Sequence, residues 1–178
     1  ICIGFLKPRF KKVKTVAPKN RFALKFIKFS PTYTAEDLER ERLIIHQLER
    51  YDKFIKYGEI LSVKDKECDV IVPMNYYYYT DMFNHTFKKG FVYDDTYIKS
   101  FAFQGFQILK ILKDHKICHF DIKLENFIVK ESKPLQIILT DFENAEQLME
   151  DEYVIPRNRT ACYSAPEVLQ QRPCDFSA

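Results

Sequence analysis

Apolar positions along this chain of 178 residues fall into short runs and one long helical stripe. Phe22-Ala23-Leu24-Lys25-Phe26-Ile27 is the first compact run and predicts a buried strand. Next, Thr34 reads as a helix N-cap with Asp37 three residues on, and Leu38, Ile45 and Leu48 recur near helical spacing. This predicts a helix over 35–50 with acids crowding its first half. Two further β-runs, Phe54 to Val63 and Asp69 to Met74, complete a sheet that carries the helix. After Tyr76-Tyr77-Tyr78-Tyr79 the period changes, and Ile98, Phe101, Phe106, Leu109 and Leu112 predict a long buried helix over 98–115. Two short β-runs follow, Phe127 to Val129 and Ile137 to Leu139, split by the turn-forming stretch from Lys130 to Pro134.

A hydrophobic content of 46% supports a real core in one large or two small lobes. Net charge is only +3, the balance of 28 basic and 25 acidic residues, which argues against a uniformly basic nucleic-acid binder. The distribution is uneven: nine Lys or Arg and no acid lie between Lys7 and Lys28. That run reads first as a solvated basic face and second as a site for phosphate or an acidic partner. The five cysteines are scattered with no C-x-x-C pair, as in a protein with reduced thiols. No apolar run reaches membrane-spanning length, and Ile1 to Leu6 is too short for a signal sequence. We expect an intracellular, cytoplasmic protein. The chain begins without Met and stops at Asp175-Phe176-Ser177-Ala178, so it reads as a fragment, aggregation-prone by itself.

The chemistry is concentrated in His119-Phe120-Asp121-Ile122-Lys123-Leu124-Glu125-Asn126, then Asp141-Phe142-Glu143, then Ala165-Pro166-Glu167. Phosphoryl transfer needs one carboxylate for the acceptor hydroxyl and oxygen ligands for Mg²⁺, and Asp121, Asn126 and Asp141 fit those roles. With Ala23-Leu24-Lys25 and an acid on the first helix, the ordered set resembles the eukaryotic-type protein kinase family over nearly the whole chain. The resemblance implies an α+β, bilobal fold. Its small β-rich N-lobe with one regulatory helix would span 1–75, and a mainly helical, incomplete C-lobe 76–178. It also implies ATP and Mg²⁺ as cofactors and a protein substrate carrying Ser or Thr, with no nucleic acid beyond the nucleotide. Under this resemblance Lys25 holds the ATP phosphates, paired with Glu41, for which Glu39 is the competitor. Met74 guards the back of the adenine pocket, and Tyr76 lies in the hinge. Asp81 is either an acid near the ribose or a helix N-cap. Asp121 is the catalytic base, Lys123 neutralises the γ-phosphate and favours Ser/Thr acceptors, and Asn126 and Asp141 hold Mg²⁺. Thr160 hydrogen-bonds to Asp121 and Lys123, while His119, Phe142 and Ile45 pack as a spine.

Four departures stand beside these matches. Leu6, Pro8 and Lys11 occupy the three glycine positions of the phosphate-covering loop, where side chains block close backbone approach and Pro8 lacks an N–H. Lys7, Arg9, Lys11 and Lys12 would have to hold phosphates by charge instead. Glu143 replaces a glycine, and Phe120 replaces the arginine that reads activation-segment phosphate. Asp175 resembles the aspartate at the head of the central C-lobe helix, and the partner of Glu167 lies farther along in the family. The alternative function is therefore a pseudokinase, a nucleotide-binding or scaffolding module; a small-molecule kinase is a weaker third.

Overall fold

The N-terminal sheet is antiparallel, with β1 (Phe22–Ile27) and β2 (Leu61–Ser62) flanking the central β3 (Val70–Asn75). Register places Lys25 opposite Val72 and Ala23 opposite Met74. The chain is seen in a computed structural model that describes residues 21–63, 65–87, 94–149, 152–156 and 160–175. The glycine-loop positions Leu6, Pro8 and Lys11 and most of the basic run lie outside these residues. β1 forms where expected, but it is not buried as a block. Side chains alternate across a strand, so Phe22, Leu24 and Phe26 face outward, with Phe22 60% exposed, while Lys25 and Ile27 turn inward.

Helix α1 (Ala35–Leu48) packs beneath this sheet and begins at the expected cap. Thr34 N–H donates to Asp37 Oδ2 at 2.8 Å, and Asp37 N–H donates to Thr34 Oγ1 at 3.3 Å, closing a capping box. Tyr33, just before the cap, joins Leu38, Ile27, Val70 and Val72 in a small core, as a hydrophobic staple does. The other end of α1 contributes Ile44, Ile45 and Leu48 to the main core.

The run from Phe54 to Val63 is not one strand. Phe54 and Ile55 are both buried, so the segment does not alternate. It acts as a strap: Ile55 N–H donates to Leu139 O at 2.9 Å and Gly58 N–H to Pro73 O at 2.7 Å, tying the first sheet to the second half of the chain. Only Leu61 and Ser62 pair as β2.

That second half holds α2 (Met82–Thr86), α3 (Asp95–Asp114), β4 (Ile117–Cys118), β5 (Phe127–Ser132), β6 (Leu135–Leu139), β7 (Glu146–Gln147) and the short α4 (Pro166–Leu169). β5 and β6 form the expected hairpin, and β4 pairs with β7. α3 corrects the expectation of a helix buried along its apolar stripe. Its buried ridge is Gln104, Ile108 and Leu112, whereas Ile98, Phe106 and Leu109 are exposed, Phe106 by 71%. Gln104 replaces an apolar residue on the ridge because its amide answers the hairpin backbone. Nε2 donates to Leu135 O at 2.8 Å, and Oε1 accepts from Ile137 N–H at 3.2 Å.

The main core gathers Ile45, Leu48, Phe54, Ile137, Leu139 and Phe142, each contributing about 1.5–3 kcal/mol by burial. It lies under the turns that carry Asp121 and Asp141, and so fixes their backbone. The result is a mixed α+β fold with a small β-rich N-terminal part.

Candidate active site

Lys25 leaves the inward face of β1 and reaches α1. Its Nζ lies 3.1 and 3.3 Å from the two carboxylate oxygens of Glu41, which is fully buried. Glu39 faces away and pairs at the surface with Arg42, at 2.6 and 2.8 Å. Glu41 also accepts from the phenols of Tyr33 and Tyr57. Burial works to lower the Lys25 pKa, but Glu41 first, then Asp141 and Glu143, hold it above its ordinary value. The lysine therefore stays charged.

Asp121 sits at the centre of a closed network. Its Oδ1 accepts from Thr160 Oγ1 at 2.7 Å; its Oδ2 accepts from Lys123 Nζ at 2.6 Å and Asn126 Nδ2 at 3.0 Å. Lys123 Nζ also donates to Thr160 Oγ1 at 3.0 Å, and Asn126 Nδ2 to Asp121 O at 2.8 Å. Burial pushes the Asp121 carboxyl upward, but the donors from Lys123, Thr160 and Asn126 outweigh it and hold the pKa below the ordinary value. Each carboxylate oxygen has two lone-pair sites. Among the described residues Oδ2 has two donors and Oδ1 one, which leaves Oδ1 a site for a hydroxyl.

His119 staples the two turns beneath the site. Its Nε2 donates to Thr140 O at 3.0 Å and its Nδ1 accepts from Asp121 N–H at 3.3 Å, an arrangement that requires the neutral ring. Burial pushes its pKa down in agreement. The residues next to those contacts, Phe120 (φ 59°) and Asp141 (φ 65°), have left-handed backbone. Such a conformation costs a bulky residue about 1–2 kcal/mol, so it persists only where packing over-determines it. Packing here is dense: Phe142 is fully buried, with its ring centroid 4.8 Å from that of His119 and 6.0 Å from that of Phe54. Ile45 is buried in the same core.

Asp141 has a different environment. Its carboxylate takes no hydrogen bond among the described residues. Burial pushes its pKa up, Lys25 opposes that, and Glu41 and Asp121 add to it. Glu143 behaves alike, pushed up to about 7 by burial and by Asp141 and Glu41 against the pull of Lys25. This donor set fits a hard cation. Asp141 offers a carboxylate that no described residue answers, and Asn126, whose Nδ2 is spent on Asp121, presents a neutral amide oxygen.

The remaining expected positions stand apart from this cluster. Met74 is half-buried at the end of β3 and packs on the main core, and Tyr76 beyond it is 45% exposed. Asp81 caps α2, accepting Asn84 N–H at 2.8 Å on Oδ1. Sequence reasoning missed the two phenols on Glu41. For Tyr33 a signal was present, since it occupies the staple position before a capped helix, five residues ahead of Leu38. Tyr57 carries no comparable signal, because an isolated aromatic in a loop reads as packing.

A stretch of 80 residues is 36% identical to the serine/threonine-protein kinase prpf4B of Dictyostelium discoideum, covering 45% of this chain and 10% of that protein. Another of 72 residues is 36% identical to the serine/threonine-protein kinase ppk5 of Schizosaccharomyces pombe, covering 40% of this chain and 8% of that one. The matched stretches thus span a tenth or less of these relatives. The family model for the protein kinase domain matches residues 9–178. Because that match takes in both the Lys25–Glu41 pair and the Asp121 network, and nearly every residue between and around them, the chain belongs to the protein kinase domain family.

Proposed function

We propose that the protein transfers the γ-phosphoryl group of ATP to a serine or threonine hydroxyl of a protein substrate. The observation that carries this reading is the Asp121 carboxylate, held by three side chains among the described residues, which leave one Oδ1 site open. An acceptor hydroxyl donating there would have its oxygen aimed at the γ-phosphorus. Its attack forms the new P–O bond as the bond to the β-phosphate oxygen breaks, and the hydroxyl proton passes to Asp121 or solvent. Lys123, beside Asp121, would neutralise charge developing on the transferred group. Lys25, kept charged by Glu41, would hold the remaining phosphates. Mg²⁺, when bound, supplies charge neutralisation on the phosphate oxygens; Asp141 and the Asn126 amide oxygen are the residues that would hold it. Met74 and Tyr76 would border the adenine. In this reading residues 1–75 and 76–178 are the two lobes facing the nucleotide.

The test is Mg²⁺-ATP binding and γ-phosphoryl transfer to a generic Ser/Thr substrate, measured on the full-length protein beside Asp121→Asn and Asp141→Asn. Transfer by the wild type, lost in both variants, supports the kinase reading. Nucleotide binding without transfer by the wild type would make the protein a binding module instead, the reading that the acid at Glu143 favours.

A further inference from the structure

Glu41 is a carboxylate with no exposed surface, and the lone pairs of a buried carboxylate need donors. One ammonium cannot answer them all. Lys25 Nζ is shared between Oε1 and Oε2 at 3.1 and 3.3 Å, so two further lone pairs need donors. Tyr33 donates to Oε2 and Tyr57 to Oε1. These phenols come from different segments and reach different oxygens. Tyr33 precedes the cap of α1, and its ring centroid lies 5.7 Å from Lys25 Nζ. Tyr57 sits on the strap, where its backbone bridges Met74 of β3.

We propose that Tyr33 and Tyr57 are positioning residues that hold Glu41 aimed at Lys25, setting the ion pair that receives the ATP phosphates. The proposal rests on the kinase reading above. Turning Glu41 away from Lys25 would break both phenol hydrogen bonds, so strand, strap and helix are locked at one carboxylate. Burial, with Glu41 next, drives both phenol pKa values upward, so the hydroxyls remain protonated donors. Phenylalanine at either position keeps the ring and its packing and deletes only the donor.

Tyr33→Phe and Tyr57→Phe, alone and combined with Glu41→Gln, test this in the full-length protein by two readouts. The first is the pH dependence of Lys25 acylation by a small amine-reactive ester, followed by mass spectrometry without nucleotide. The second is the split between KM for ATP and kcat. We expect each phenylalanine to move the Lys25 acylation midpoint to lower pH, because a misaimed Glu41 no longer stabilises the ammonium. KM for ATP should rise roughly tenfold, the effect of one hydrogen bond to a charged group, with a smaller change in kcat. Both effects should vanish in the Glu41→Gln background. Phenylalanine variants that lower only the melting temperature, with the Lys25 profile and KM unmoved, would overturn the proposal. So would equal effects with and without Glu41. If the wild type transfers no phosphate, the kinase reading fails, while the Lys25 acylation profile still decides the role of the phenols.

Discussion

Two acidic turns lie close enough to feel each other's charge and have opposite electrostatics. Around Asp121 the acid is answered by Lys123, Thr160 and Asn126, and its pKa is held low. At Asp141 and Glu143 the acids feel each other and buried Glu41, with Lys25 the largest pull against the rise in pKa. The first turn is organised by its own side chains before any ligand arrives. The second carries negative charge that becomes favourable only beside a cation. A phosphoryl-transfer site needs both kinds of region, because the acceptor must meet fixed geometry and the phosphates must bring the metal.

The sharpest way to break the comparison is to neutralise the closed turn. Asp121→Asn should cut γ-phosphoryl transfer by about a thousandfold while nucleotide affinity stays near the wild-type value, since general-base loss costs on the order of 10²–10⁴. Steady-state kinetics beside equilibrium ATP binding would check it. Equal loss of binding and transfer would mean that Asp121 serves the nucleotide and not the acceptor. A milder opening is Thr160→Ala, which removes the donor to Oδ1 and a partner of Lys123. A loss in kcat of roughly tenfold is expected, the effect of one hydrogen bond to a charged group. Thr160→Ser, which keeps the hydroxyl, should restore most of it.

How much of this was legible in the sequence follows from distance along the chain. Asp121, Lys123 and Asn126 lie within one short loop, so their spacing alone presents them together. Thr160 joins them from 39 residues away and was visible only through the adjoining Ala165-Pro166-Glu167 motif. The capping box of α1 was equally local and equally legible. Periodicity failed where a polar group serves the interior: Gln104 breaks the apolar stripe of α3, yet it lies on the buried ridge because it satisfies the backbone of β6. It also failed on β1, whose large apolar residues Phe22, Leu24 and Phe26 face outward so that Lys25 can face in. An apolar run reveals a strand and does not say which face is covered.

The open turn can be partly closed without a metal. Glu143 has an ordinary pKa of 4.5 and is pushed up to about 7 in the folded protein. An acid with a raised folded-state pKa destabilises the fold wherever it is ionised, so its penalty is greatest above pH 7 and fades as pH falls toward 4.5. In metal-free buffer Glu143→Gln should raise the melting temperature at pH 8 by about 2 °C, the scale of a sub-kcal/mol change in a domain of this size. The gap from wild type should close by pH 5. A gap that widens toward acid would show that Glu143 is a paired, stabilising carboxylate, and the contrast with Asp121 would collapse.

The smallest effect concerns what fastens the open turn to α1. Gln47 on α1 and Gln147 on β7 exchange amide hydrogen bonds, Nε2 to Oε1 at 2.9 Å and back at 3.0 Å. Gln147 Nε2 also reaches His115 O at 3.1 Å, at the end of α3. Arg40 on the same helix lies 3.4 Å from the carboxylate of Glu146. This clamp joins the helix that carries Glu41 to the strand that follows Asp141 and Glu143, and it does not touch the Asp121 network. Its amides are exposed, so water replaces each hydrogen bond at little cost. Gln47→Leu should therefore raise the KM for ATP by no more than about threefold, with kcat unchanged. Amide exchange at Leu148, whose N–H donates to Lys116 O at 2.8 Å beside the clamp, should quicken while exchange at Asn126 does not. Faster exchange at both would mean that the two turns move together, and that the closed network borrows its order from α1 instead of supplying its own.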